Sequence, residues 1–287
     1  MAHDGDLVEK HLVSCFAPQN EDYLPLFEAM RYSTLGGGKR IRAFLTLAFC
    51  RLWAKDVTPA LPFASAMEMM HAFSLIHDDL PCMDNDSMRR GKPSCHVVFG
   101  EAGALLAGDA LMILSIETAA SNEYVRKSTA LLAVRDLAVF AGRFGMAGGQ
   151  QLDLIGETEK LEYDTLLSMH ARKTGALIKA SCRLGCYASD RFDEEKIALA
   201  DAYAEKIGLV FQIVDDILDV TSDEKTLGKH TGKDRESGKT TFLSFMSVEE
   251  AYARAEKLTS EAQKYLPSNE QGKILSDFAG WLLSRDR

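Results

Sequence analysis

The chain has 287 residues, with 33 Lys and Arg against 42 Asp and Glu, a formal charge of −9. That length can bury a sizeable core as one large domain or two ordinary ones, and 46% hydrophobic with 26% charged residues is a globular composition, not a disordered one. The acidic balance excludes nucleic acid as the main partner, because phosphate-backbone binding needs a basic face; taken as an average, it argues against any polyanionic ligand too.

From the N-terminus, Met1 to Asp6 is acidic and lacks the basic-then-apolar order of a signal peptide. Gly36-Gly37-Gly38 then runs into Lys39-Arg40-Ile41-Arg42, a glycine-rich loop opening a helix. Seven prolines punctuate the chain, none of them between Ser94 and Leu266, and so long a stretch without the strongest helix breaker predicts helices. Within it Ala107, Leu111 and Leu114 follow a period near 3.6, as do Ile207, Val210, Phe211, Val214 and Leu218. Pro59, Pro62, Pro93 and Pro267 fall between periodic segments, and no strict alternation is long enough to predict a sheet. The most apolar stretch, 102–120, is interrupted by Asp109 and Glu117, so no uncharged run reaches the about 18–20 residues of a membrane span. Thr221 to Thr241 is polar, glycine-punctuated and lysine-rich, the pattern of a binding loop or lid. The expectation is one all-α domain over 1–287.

The six cysteines, at 15, 50, 82, 95, 182 and 186, show no CxxC pair or zinc-ribbon spacing. Cys182 and Cys186, four apart, read as small buried residues on a helix. A reducing, cytoplasmic compartment is expected.

Two acidic clusters carry most of the information. Asp78, Asp79 and Asp84 follow Phe73-Ser74-Leu75-Ile76-His77, and Asp215, Asp216 and Asp219 follow Val210-Phe211-Gln212-Ile213-Val214. Asp215 and Asp219, four apart, share a helix face. Asp78 and Asp84 are six apart, and Pro81 between them can break the helix and return Asp84 to the site. Adjacent like charges near a core are costly unless neutralised. No lysine stands on the same face within a turn, and a hard divalent cation such as Mg²⁺ supplies the remedy. Basic residues flank these clusters: Lys39 and Arg42 at the glycine loop, Arg89-Arg90, and Lys173, Lys229, Lys233 and Lys239. Cations beside metal-binding carboxylates suit a diphosphate, and two separated sets allow two such ligands.

At this point the residues resemble a family. The motifs GGGKRIR (36–42), EMMHAFSLIHDDLPCMDNDSMRRGKPSCH (68–96), GDAL (108–111), GGQQLDL (148–154), KTGAL (173–177), GLVFQIVDDILD (208–219) and LGKHTGKDRESGKTTF (227–242) occur in the order found in trans-isoprenyl diphosphate synthases, specifically bacterial-type farnesyl and geranylgeranyl diphosphate synthases. The resemblance implies an all-α helical bundle around a central cavity, a homodimer, and head-to-tail condensation of isopentenyl diphosphate with dimethylallyl or geranyl diphosphate. It implies Mg²⁺, three ions with substrate bound, on Asp78, Asp79, Asp84, Asp215, Asp216 and Asp219. By motif, Gly38, Lys39, Arg42, His71 and Arg90 match positions that hold isopentenyl diphosphate. Arg89, Lys173, Lys229 and Lys239 match those on the allylic diphosphate, and Thr174 and Gln212 those whose oxygens face the developing cation. The family's basic C-terminal tail is represented by Arg285 and Arg287, with Asp286 between them.

Phe73, five residues before Asp78, and the smaller Ser74 stand where an aromatic accompanies fifteen-carbon products in this subgroup, so farnesyl diphosphate is the expected product and geranylgeranyl diphosphate the alternative. A terpene cyclase, a metal phosphohydrolase built on His77-Asp78, and a non-catalytic partner subunit are the rivals. The paired aspartate motifs, the glycine loop and the missing histidine spacing weigh against them. Net charge then ceases to exclude a diphosphate, because six of the acids act as phosphate handles through the metal.

Overall fold

The periodic segments form helices: α1 (Ala2–Cys15), α2 (Leu24–Thr34), α3 (Ile41–Arg51), α4 (Leu61–Asp78), α5 (Cys95–Ala120), α6 (Lys127–Ala141), α7 (Met146–Thr158), α8 (Tyr163–His170), α9 (Ala176–Ala188), α10 (Glu194–Thr221), α11 (Val248–Gln263) and α12 (Glu270–Ser284). The computed structural model describes residues 2–16, 23–35, 37–221 and 239–285, and is all-α. Gly36, Lys229, Lys233, Arg287 and most of the lysine-rich segment after Thr221 lie outside the described residues.

Two local expectations change. A small antiparallel ribbon joins β1 (Met88–Arg89) to β2 (Lys92–Pro93). Its turn residues Arg90 and Gly91 both have positive φ, 53° and 73°, which matches the twist a two-residue hairpin needs, and two-residue strands are too short to show alternation. Pro62 sits in the first turn of α4, not between elements, because the missing N–H has no intrahelical partner there.

The apolar core has two lobes that share α3 and α9. Ala43 and Leu47 of α3 face one lobe while Phe44, Leu45 and Phe49 face the other. Leu177 and Leu184 of α9 are divided from Ile178, Cys182 and Cys186 in the same way. Feeding both lobes, α3 and α9 form the central spine against which α4 and α10 stand. Arg183 on α9 pairs with Asp201 on α10 at 2.5 Å and with Asp136 on α6 at 3.2 Å, which fixes those three helices together.

Helix α5 is long and apolar enough to cross a membrane by length and composition, with 22% of its most apolar window buried inside the chain. Asp109 and Glu117 interrupt the run without ending its apolar character. Its inner residues Ala104, Ala107 and Leu111 pack in the core. Past a break at Gly100, Leu105, Leu106 and Ile113 are exposed on it, as is Leu131 of the next helix.

Candidate active site

The first aspartate cluster is built by the way α4 stops. His71, Leu75 and Asp78 follow one helix face, and the helix ends at Asp78, before Pro81 is reached. The backbone N–H of Asp84 then donates to the carbonyl of Asp78 at 2.9 Å, and that of Asn85 to Leu80 at 3.1 Å, so the turn folds Asp84 back beside Asp78. Burial pushes the Asp78 carboxyl up to about 6; Lys173 and Arg89 oppose the shift, while Asp84 and Asp79 add to it.

Asp79 departs from the expected metal role. It is only 2% exposed and accepts hydrogen bonds from Arg89, the Nε at 3.0 Å. Arg89 also reaches Asp86 at 3.5 Å, so the guanidinium expected on the allylic diphosphate is committed to two carboxylates. Asp78 and Asp79 are about 100° apart around the axis, so the two carboxylates meet different neighbours, and Asp79 meets Arg89.

The lysines come from a junction of close-packed backbones. The π-helical turn Ala171–Gly175 links α8 to α9, carrying Lys173 and Thr174; such bulges occur frequently at functional sites. A Cβ on Gly149 would lie 2.1 Å from the Lys173 nitrogen, and one on Gly208 would lie 3.0 Å from the Gly175 Cα, so α7 and α10 approach this turn only because they carry glycine there. Lys173 pairs with Asp153 at 2.6 Å, and Lys239 with Asp153 at 3.4 Å and Glu157 at 3.0 Å. Although burial opposes its charge, Asp153 is held below the usual carboxylate range by Lys173 and Lys239. Burial likewise opposes the Lys239 ammonium, yet Asp153, Glu157 and Asp84 raise its pKa. The Thr174 hydroxyl donates to the Gln212 carboxamide oxygen, bringing that expected pair into contact.

Asp153 and Glu157 went unassigned at the level of sequence. The signal was the carboxylate in GGQQLDL, one helical turn beyond the glycine that lets α7 reach Lys173. His170 was missed as well: burial lowers its pKa to about 4, and it stacks on Phe242 at 5.1 Å.

The second cluster lies on the stripe Gly208, Gln212, Asp215, Asp219 of α10, with steps of four, three and four residues. Asp216 points the other way. It is 7% exposed and accepts from the backbone N–H of Phe242 at 2.7 Å, so it anchors the chain after residue 239 instead of presenting itself to a metal. Asp215 is 42% exposed and is bound by Arg285, the first residue past the end of α12.

The basic pocket forms around His71. Gly37 and Gly38 adopt positive φ, and a Cβ on Gly38 would lie 2.8 Å from the Arg90 guanidinium carbon. Arg90 donates to the Gly37 carbonyl at 2.5 Å, tying the ribbon to the glycine loop. Arg40 takes a left-handed φ of 48° and turns inward to Glu9 and Glu68, while Glu68 also accepts the Ala43 N–H at 3.0 Å. Arg42 is lowered to about 10 by burial and by Arg90 against the pull of Glu68. His71 lies well below its ordinary pKa through burial and through Arg42, Arg90, Arg89 and Arg40. Its Nδ1 is buried with no hydrogen-bond partner among the described residues. A neutral imidazole ringed by guanidinium groups is a site poised for an anion. Lys39 lies over the Trp281 ring at 5.6 Å.

Phe73 is partly buried against the core and meets the His77 ring edge-on at 4.9 Å. The Ser74 hydroxyl donates back to the His71 carbonyl at 2.9 Å. His77 packs and does not orient an aspartate of the cluster: its Nε2–H donates to the Leu105 carbonyl at 3.1 Å.

Among the described residues no three carboxylate, imidazole or thiol groups converge into a preformed metal cage. The donors are hard oxygens, and Asp78 has its charge disfavoured by burial in the absence of a cation. That set fits Mg²⁺, which takes one or two carboxylates and completes its shell with water and substrate phosphates. The residues that fit it are Asp78, Asp84, Asp215 and Asp219.

The sequence profile of the polyprenyl synthetase family matches residues 25–275. The farnesyl diphosphate synthase of Escherichia coli is 41% identical over 277 residues, covering 94% of this chain and 93% of that protein. The large subunit 1 of a heterodimeric chloroplastic geranylgeranyl pyrophosphate synthase from Arabidopsis thaliana is 44% identical over 276 residues, covering 94% and 74%. Among solved structures, a geranyltransferase from Helicobacter pylori complexed with magnesium and isoprenyl diphosphate superposes with a TM-score of 0.86 at 33% identity, covering 99% of this chain and 95% of that one. The fold, the paired aspartate clusters and these relatives lead to one conclusion: the chain belongs to the polyprenyl synthetase family and is a trans-prenyltransferase.

Proposed function

We propose that the chain condenses isopentenyl diphosphate with dimethylallyl or geranyl diphosphate, head to tail, and releases farnesyl diphosphate as its main product. The observation that carries this reading is the buried, unpartnered His71 Nδ1 two turns before the metal-suited Asp78 on one helix face, with Arg90 tied to the glycine loop nearby. An anion pocket and a metal pocket so placed bring two diphosphates side by side.

In this reading Gly38, Lys39, Arg42, His71 and Arg90 hold isopentenyl diphosphate, and Lys173 and Lys239 hold the allylic diphosphate. Holding both substrates sets the double bond of one beside the reacting carbon of the other, a proximity effect. Asp78, Asp84, Asp215 and Asp219 would hold Mg²⁺, as three ions with substrate present. The metal, when bound, supplies positive charge against the leaving diphosphate. The oxygens of Thr174 and Gln212 face the cation that develops on the allylic carbon. The apolar wall along α4 excludes water that would trap it. The departing diphosphate takes the final proton, and no nucleophilic side chain is required.

The test is diphosphate release with isopentenyl and dimethylallyl diphosphates together and with each alone, in the presence of Mg²⁺. Release is expected only with both; release from one alone would make the chain a hydrolase or cyclase. A twenty-carbon product is the second reading, favoured by the identity to the plant geranylgeranyl pyrophosphate synthase subunit. The Phe73 ring, partly buried on α4, supports fifteen carbons as the floor under the growing chain. Phe73→Ala is expected to lengthen the product, read by chromatography after dephosphorylation, and unchanged fifteen-carbon output would remove Phe73 from that role.

The apolar outer side of α5 and α6 supports a homodimer, since Leu106, Ile113 and Leu131 are each more than half exposed there. Ile113→Glu should shift the sedimenting species from dimer to monomer. All six cysteines are free, which suits the reducing cytoplasm proposed as its compartment.

A further inference from the structure

Arg285 has no part in the scheme above, yet its side chain is buried and held by α10. Its side chain is 4% exposed. The chain leaves α12 at Arg285 with extended backbone, φ −63° and ψ 138°, and the side chain runs back across α10. There it donates to the Phe211 carbonyl at 3.1 Å, stacks over the Phe211 ring at 4.1 Å, and binds the Asp215 carboxylate. Its Nε is buried with no partner among the described residues, so the burial is not fully compensated. One turn earlier on the same helix, Trp281 lies under Lys39 of the glycine loop. The final stretch of α12 therefore touches the second metal cluster through one residue and the glycine-loop lysine of the anion pocket through another.

A guanidinium and a divalent cation both need the Asp215 carboxylate. With Phe211 supplying a second foothold, Arg285 can give up the carboxylate and remain nearby as a like charge to the incoming ion. We infer that Arg285 is the resident counter-cation of the second aspartate cluster: it neutralises Asp215 before the metal arrives, opposes the ion's entry, and so sets the affinity of that cluster for Mg²⁺. Through Trp281 the same helix end transmits occupancy of the cluster to Lys39. Arg285 is thus a positioning residue that acts through Asp215. The inference rests on the Mg²⁺-diphosphate reading of the site.

The test uses the full chain carrying Asp78→Asn and Asp84→Asn, which leaves Asp215 and Asp219 of the second cluster as the ion site. Mn²⁺, a hard cation readable by its free-ion magnetic resonance signal, stands in for Mg²⁺. Adding Arg285→Met is expected to tighten Mn²⁺ binding by roughly five-fold, the lower end of typical coupling between sites, whereas Arg285→Lys, which keeps the charge, should stay near the parent. Equal or weaker binding by Arg285→Met would overturn the inference. A parent chain that binds no Mn²⁺, with or without inorganic diphosphate, would instead overturn the metal reading itself. A second measurement leaves Arg285 in place: in Trp53→Phe, Trp281 is the remaining indole, and its emission should change as Mg²⁺ is added. Constant emission at saturating Mg²⁺ would refute the link to Lys39.

Discussion

The two aspartate clusters solve the same problem with one shared device and one difference. In each adjacent pair the first aspartate, Asp78 or Asp215, is the more exposed, while the second is buried and holds the scaffold. Asp79 clamps Arg89, and Asp216 anchors the Phe242 backbone. The difference lies in what answers the first aspartate's charge. Asp215 is half exposed and paired with Arg285, whereas burial pushes the Asp78 carboxyl up to about 6 against the pull of Lys173 and Arg89. A doubled acid in a helix thus assigns one residue to chemistry and one to architecture, and the surroundings decide how strongly the first needs a metal.

The largest expected effect separates the clusters by activity. Asp78→Asn should lower kcat by about 10³-fold and Asp215→Asn by about 10²-fold, within the range for lost electrostatic stabilisation of a developing anion, because a charge in the less solvated position acts more strongly. Steady-state diphosphate release measures both, and equal losses would break the distinction.

Stability should divide each pair the other way. Asp79→Asn leaves the Arg89 guanidinium without its main buried partner and should cost about 3 kcal/mol, the scale for breaking a buried ion pair. Asp78→Asn should leave the urea midpoint unchanged or raise it, since burial disfavours that charge. A large loss on Asp78→Asn would show it to be structural.

The smallest effect is in pH. Asp78 has a folded pKa of about 6 against roughly 3.9 in an unfolded chain. A raised carboxylate pKa means that the folded state binds the extra proton between those values. Stability from this group therefore rises as pH falls through that window, and the penalty is fully present above pH 6. The advantage of Asp78→Asn in urea should accordingly be greatest near pH 7 and fade toward pH 4. The metal requirement runs oppositely: half-maximal activity should need more Mg²⁺ as pH drops below about 6, because the proton competes for the carboxylate.

Much of the site was legible because its chemistry repeats at fixed spacings. Aspartates four apart on α10 share a face whatever surrounds the helix, and the proline-free stretch left little alternative to helix. Thr174 and Gln212, 38 residues apart, were paired by the family motifs, and the fold puts them in contact. The partition of Asp78 from Asp79 was hidden, since adjacent residues look equivalent until the helix phase against its neighbours is known. Asp153 and Glu157 were hidden for a related reason: they matter through Lys173 and Lys239, which approach from other segments. Arg285 stood out only as a basic residue in the C-terminal tail.

The acidic charge of the opening comparison ends with a clearer meaning. By itself the sequence determined the helical class, the family and the two metal-suited clusters, because these depend on period, proline placement and local spacing. Tertiary structure alone decided which aspartate of each pair is buried on a scaffold partner, that His71 is buried with its Nδ1 unpartnered among the described residues, and that Arg285 reaches Asp215. Those outcomes depend on burial and on charges brought together from distant parts of the chain, and a charge's energy is set by its surroundings in space.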